Sequence, residues 1–145
     1  MLGDTSGQSG VPAELLVAFW GVETDFGAST GNFSVINAVA TLAYQGRRTD
    51  YFRTELLAAL EILNKGDIPL SGLRGSWAGA MGQTQFMPTI FIAHATDADG
   101  DGRRDIWNSL PDVFASASNF LRGIGFKPGL PSSEEVVLPQ GFALD

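Results

Sequence analysis

The chain contains no cysteine in its 145 residues, which excludes a disulfide framework, a thiolate-held metal and a cysteine nucleophile. Histidine occurs once, at His94. A multi-histidine metal site is therefore excluded, and a serine–histidine triad would have to be built on His94 with no G-x-S-x-G context to support it. Positive charge is scarce: 9 Lys and Arg stand against 16 Asp and Glu, a net charge of -7. Duplexes and anionic lipid surfaces are themselves negative, so no nucleic-acid partner is expected. No apolar run approaches the roughly 20 residues that cross a bilayer. The opening MLGDTSGQSG has neither a basic nor an apolar segment, so residues 1–10 read as a disordered start, not a signal peptide.

What is present is ordinary for one globular domain, with 44% hydrophobic and 17% charged residues. A chain of this length buries enough surface to hold a core without staples. The pattern is mostly α. Leu15, Phe19, Val22 and Phe26 fall at i, i+4, i+7 and i+11, one helical stripe beginning after Val11-Pro12 and stopped at Gly27. A second helix is expected over about 33–44 and a third over about 50–65. The third has Phe52, Leu56, Leu60 and Leu63 inward, a Glu61–Lys65 pair, a cap at Thr49 or Asp50, and Gly66 as its stop. Gly72, Gly75, Gly79 and Gly82 then punctuate an apolar stretch that predicts tight turns and close backbone approaches. Pro88 opens a short helix, and the last helix spans about 111–124. Beyond Lys127 the chain is proline-rich, with at most a short strand at 136–138.

Three constellations can carry chemistry. Glu23 lies one position off the apolar stripe with Phe19, Trp20 and Phe26 around it. Aromatic surroundings desolvate a carboxyl group and raise its pKa, as a general acid for glycosidic oxygen requires. A solvated glutamate at a helix end is the plain alternative. The segment 76–88, SWAGAMGQTQFMP, offers small residues, amides, methionines and aromatics suited to a flat polar ligand such as a sugar. It reads equally as a packed turn whose glutamines satisfy backbone groups. The stretch 97–103, DADGDGR, has the D-x-D-x-D-G spacing of a calcium loop, with Asp112 placed to close it. Asn108 stands where an EF-hand has its bidentate glutamate, and Ser109–Asp112 also fits a capping box. His94 is expected to be a packed residue, and Arg47-Arg48 surface charge with a possible anionic contact.

Six collinear segments, WGVETDFG (20–27), TGNFSVINAVATLAYQGRR (30–48), FRTELLAALEIL (52–63), GSWAGAMGQTQFMPT (75–89), DADGDGRRDIW (97–107) and SASNFLRGIGF (116–126), resemble the family-B membrane-bound lytic murein transglycosylases. The resemblance implies a lysozyme-like catalytic core over 11–127, followed by a cut-off C-terminal extension over 128–145. It implies Glu23 as the catalytic acid and base, and Tyr44, Ser76, Gln85, Phe86, Met87 and Asn119 as glycan-contacting residues. It also implies a structural calcium in an EF-hand-like loop, held by Asp97, Asp99, Asp101, the Arg103 carbonyl and Asp112. The implied substrate is the peptidoglycan strand, cleaved between N-acetylmuramic acid and N-acetylglucosamine to a 1,6-anhydro product without a catalytic cofactor. A hydrolytic muramidase and a non-catalytic glycan-binding module are the alternatives. The implied location is the periplasm or cell envelope. The family's Asn-Tyr-Leu is Asn119-Phe120-Leu121 here, which removes one hydroxyl.

Overall fold

A computed structural model describes residues 2–130 and 135–142. Among the described residues, six helices and two very short strands follow one another: α1 (Leu2–Ser9), α2 (Ala13–Thr24), β1 (Phe33–Ser34), α3 (Val35–Tyr44), α4 (Thr49–Lys65), β2 (Arg74–Gly75), α5 (Pro88–His94) and α6 (Leu110–Gly123). The strands pair antiparallel, Phe33 opposite Gly75 and Ser34 opposite Arg74.

The expected disordered start is corrected by α1, which packs on α6 and α2. Its Leu2 side chain joins the apolar cluster of Val11, Leu16, Phe114 and Ala117. One apolar anchor suffices to dock a glycine- and serine-rich segment that would not be helical alone. At the other end, residues 136–138 form no strand and remain exposed.

The principal cluster gathers Val35, Ala59, Ile62, Ile68, Leu73, Met81, Phe86, Phe91 and Ile106, with Phe19 and Phe120 against it. Burying each large side chain contributes roughly 1.5–3 kcal/mol. Two expected apolar faces are rotated. In α2 the buried residues are Leu16 and Thr24, while Val22 is 84% exposed and Phe26 lies past the helix end with more than half its surface free. The turn of α2 that carries Trp20 and Thr24 faces Gln83, which puts Val22 on the outside. In α4 the buried residues are Glu55, Ala58, Ala59 and Ile62, and Leu60 is exposed. α3 lies along α4, and Glu55 is turned toward α5, where it meets Thr89.

Helix ends agree with the sequence in part. Gly66 closes α4 in the left-handed conformation, and Lys65 pairs with Glu61 at 2.7 Å. At its start Arg48 is the cap residue and no side chain caps it, so neither Thr49 nor Asp50 does so. Asp25, not Gly27, ends α2. The segment between β2 and α5 is the expected series of turns, tied by bridges from Gly75 to Met81 and from Met81 to Phe86. A Cβ on Gly75 would collide with the Ala80 carbonyl, and one on Gly82 with that of Ile106.

Candidate active site

Glu23 occupies the last turn of α2, where the backbone leaves the helix sharply: Asp25 (φ 49°) and Phe26 (φ 57°) both adopt the left-handed conformation. Across from it, Gln85 does the same at φ 50°. Such non-glycine positions cost energy and persist only where their surroundings fix them. The two strained turns face one groove of about 190 Å³, lined by Phe19, Glu23, Thr84, Gln85, Phe86, Met87, Ile90 and Phe120.

This groove joins four of the expected site residues, Glu23, Gln85, Phe86 and Met87. Its walls are mainly aromatic and aliphatic, with Phe120 packed between Phe19 and Phe86 at ring separations of 6.3 and 5.3 Å. Desolvation by these walls raises the Glu23 pKa above the ordinary glutamate value. Glu23 is the single carboxylate in the lining. The Gln85 amide donates to the carbonyls of Thr30 (3.1 Å) and Gly82 (3.0 Å), so it does satisfy backbone groups. Its carbonyl oxygen has no partner among the described residues.

Three expected contacts lie elsewhere. Ser76 closes its own turn, its hydroxyl accepting from the Ala80 amide at 3.1 Å. Tyr44 is 92% exposed at the end of α3. Asn119 lines a different cavity, between α1 and α6, and donates to the His94 carbonyl at 3.0 Å. Helical geometry explains the last: Phe120 takes the groove side of α6, which turns its neighbour away. His94 packs edge-on to Phe120, as expected of a structural residue.

Sequence reasoning missed the residues that hold the groove together. Glu55, buried in α4, accepts from the Thr89 amide (2.9 Å) and hydroxyl (2.8 Å), capping α5 just behind Met87. Gln83, next to the groove wall, bonds to Trp20 of α2 and to the Trp107 carbonyl beyond the acidic loop. A buried ion pair, Asp67 with Arg104 at 2.6 Å, pins the end of the acidic loop beside α4, with the guanidinium over Phe91. An acidic residue inside an apolar helix face was the one available signal, at Glu55.

In the acidic loop, one oxygen from each of Asp97, Asp99 and Asp112 lies within 4.8 Å of the others. Asp101 is outside this group, its carboxylate accepting from the Arg103 amide at 2.8 Å. Asp97 accepts from Gly100 and Gly102, and Asp99 from Asp101 and the Ser109 hydroxyl. Asp112 takes part in the expected capping box and also accepts from the loop backbone. Its amide is capped by Ser109, while its fully buried carboxylate accepts from the Ala98 (2.8 Å) and Asp105 (2.7 Å) amides. Burial, with the Asp99 charge adding to it, pushes the Asp112 pKa up despite these bonds. Hard oxygen donors converging from three carboxylates fit a calcium ion.

A family profile for the transglycosylase SLT domain matches residues 1–145. Membrane-bound lytic murein transglycosylase B of Escherichia coli K12 is 37% identical over 140 residues, 92% of this chain. The crystal structure of SltB3 from Pseudomonas aeruginosa in complex with NAG-NAM-pentapeptide superposes at a TM-score of 0.91 with 51% identity over 97% of this chain. Slt35 of Escherichia coli in complex with calcium gives a TM-score of 0.83 with 36% identity over 88%. The chain spans 38% of the length of the first two and 41% of the third. The mostly helical, lysozyme-like architecture expected from the sequence is thus shared with solved relatives over 88–97% of the chain, and with the profile match it establishes that this chain belongs to the transglycosylase SLT domain family.

Proposed function

We propose that this chain is a peptidoglycan lytic transglycosylase core in which Glu23 acts as acid and then as base. The observation that carries the reading is a desolvated carboxyl group alone in a sugar-sized, aromatic-walled groove. Most glycosidases work with two carboxylates flanking the bond. A lone one suits a reaction in which the substrate supplies its own nucleophile.

Protonated Glu23 donates its proton to the bridging oxygen between N-acetylmuramic acid and N-acetylglucosamine, and the bond from that oxygen to the muramyl anomeric carbon breaks. The muramyl N-acetyl group stabilises the cationic centre. Ionised Glu23 then takes the proton from the muramyl 6-hydroxyl, whose oxygen closes on the anomeric carbon. Glu23 ends protonated, and no water is consumed. Gln85, Phe86 and Met87 form the opposite wall and bind the glycan, with Tyr44, Ser76 and Asn119 reaching it only as more distant contacts. The relatives' complexes with NAG-NAM-pentapeptide and NAG-anhNAM-pentapeptide support this substrate and product class.

Asp97, Asp99 and Asp112 are proposed to hold a structural calcium in an EF-hand-like loop, with Asp101 and the Arg103 carbonyl completing it; the ion supplies charge compensation to the loop. The catalytic unit is assigned to residues 11–127 with α1 docked on it, and 128–145 to an extension. Its place of action is the cell envelope, in keeping with the relative named membrane-bound. No described helix is long and apolar enough to cross a membrane.

Incubation with purified sacculi tests the function. The chain is expected to release soluble anhydromuropeptides, and Glu23→Gln to bind sacculi and release none. Equal release by Glu23→Gln sinks the mechanism, and binding without release by the unaltered chain favours a glycan-binding module.

A further inference from the structure

We infer that Gln83 is a positioning residue for Glu23, holding the two walls of the groove at a fixed separation; the inference rests on the reading of Glu23 given above. Gln83 itself does not line the groove. Its side-chain carbonyl accepts from the Trp20 indole N–H at 2.7 Å, and its side-chain amide donates to the Trp107 carbonyl at 2.8 Å. Its backbone carbonyl accepts from the Thr24 hydroxyl at 3.1 Å, and its backbone amide donates to the Ile106 carbonyl at 2.8 Å.

These four bonds join three segments distant in sequence. Trp20 and Thr24 are at i-3 and i+1 from Glu23, so both bonds to α2 grip the turn that presents its carboxyl group. Ile106 and Trp107 follow the acidic loop. Gln83 directly precedes Thr84 through Met87, the opposite wall. The Thr24 hydroxyl, almost wholly buried, also accepts from the Gly27 amide at 3.2 Å, which fixes the strained exit of α2. A Cβ at Gly27 would collide with the Gln83 amide, so glycine there is what lets the two approach. Trp20 is held edge-on between Phe26 and Phe114, so its N–H has one direction open.

Gln83→Met keeps the side-chain volume and removes both amide bonds. Trp20→Phe removes the indole donor together with part of the ring and serves if the first variant folds poorly. Both are expected to lower kcat by about ten- to a hundredfold, the scale of a small misplacement of a reacting group, with KM little changed. In both, carboxyl NMR of Glu23 is expected to show its titration moving down toward the ordinary glutamate value as solvent reaches it. Two variants with unaltered kcat and an unaltered Glu23 titration overturn the inference, whatever their Tm. If the unaltered chain cleaves no glycan, the function proposed above fails on its own. The Glu23 titration then decides the role of Gln83: a downward shift supports it and an unchanged midpoint overturns it.

Discussion

At the scale of single residues, the proposed chemistry depends on a carboxyl group whose pKa is raised by its surroundings. Desolvation raises the Glu23 pKa, so the rate is expected to fall as pH rises through a value above the normal glutamate range. Glu23→Gln is expected to lose about 10²–10⁴ in kcat with little change in Tm, measured on purified glycan strands. Part of the Glu23 environment was legible in sequence, since Phe19 is its helical neighbour, while Phe86 and Phe120 come from distant segments. Gln83 was not, because its partners are 59 and 63 residues away in one direction and 24 in the other. For a related reason, spacing along α6 does not say which of two adjacent positions meets the groove: Phe120 lines it, and Asn119 lines the cavity beside α1.

At the scale of elements, α5 and the acidic loop are held by carboxylates whose roles are structural. Removing Glu55 leaves the amide and hydroxyl of Thr89 unpaired at the start of α5. Glu55→Ala is therefore expected to cost about 2–3 kcal/mol, roughly 5–10 °C in Tm at this length, and Glu55→Gln less, since its carbonyl still accepts. In the loop, the raised pKa of Asp112 means that its ionised form is disfavoured in the folded state. Its contribution is complete below the unfolded pKa and is lost as pH rises through the folded one. Without divalent cations, stability is expected to decline across that range. Calcium is expected to restore it in thermal melts, and Asp99→Ala or Asp112→Asn to abolish the calcium response. The loop's spacing was readable from sequence, but the position of Asp101 apart from the three clustered carboxylates was not, since its bond to the Arg103 amide depends on the local turn. Helix faces in α2 and α4 were misplaced because periodicity marks apolar residues, whereas packing chose alanines and a buried glutamate in α4.

At the scale of the whole molecule, the groove is closed by parts from nearly the full length of the chain: α2, the turns before α5, α5 itself and α6. The element order and the mostly helical class were legible because helix periods and glycine stops are local signals. The docking of α1 was not, because it depends on α6, more than 100 residues later. With no fully buried residue of its own, α1 is expected to open readily, so its amides should exchange faster with solvent than those of α4 and α6 in hydrogen-exchange measurements. In the proposed reaction the scissile glycosidic bond is exchanged for an internal one to the muramyl 6-oxygen, with Glu23 making both proton transfers. Digestion of purified sacculi in water enriched in heavy oxygen tests this most directly. The predicted result is 1,6-anhydro muropeptides carrying no label, absent from Glu23→Gln digests; labelled reducing ends would contradict it.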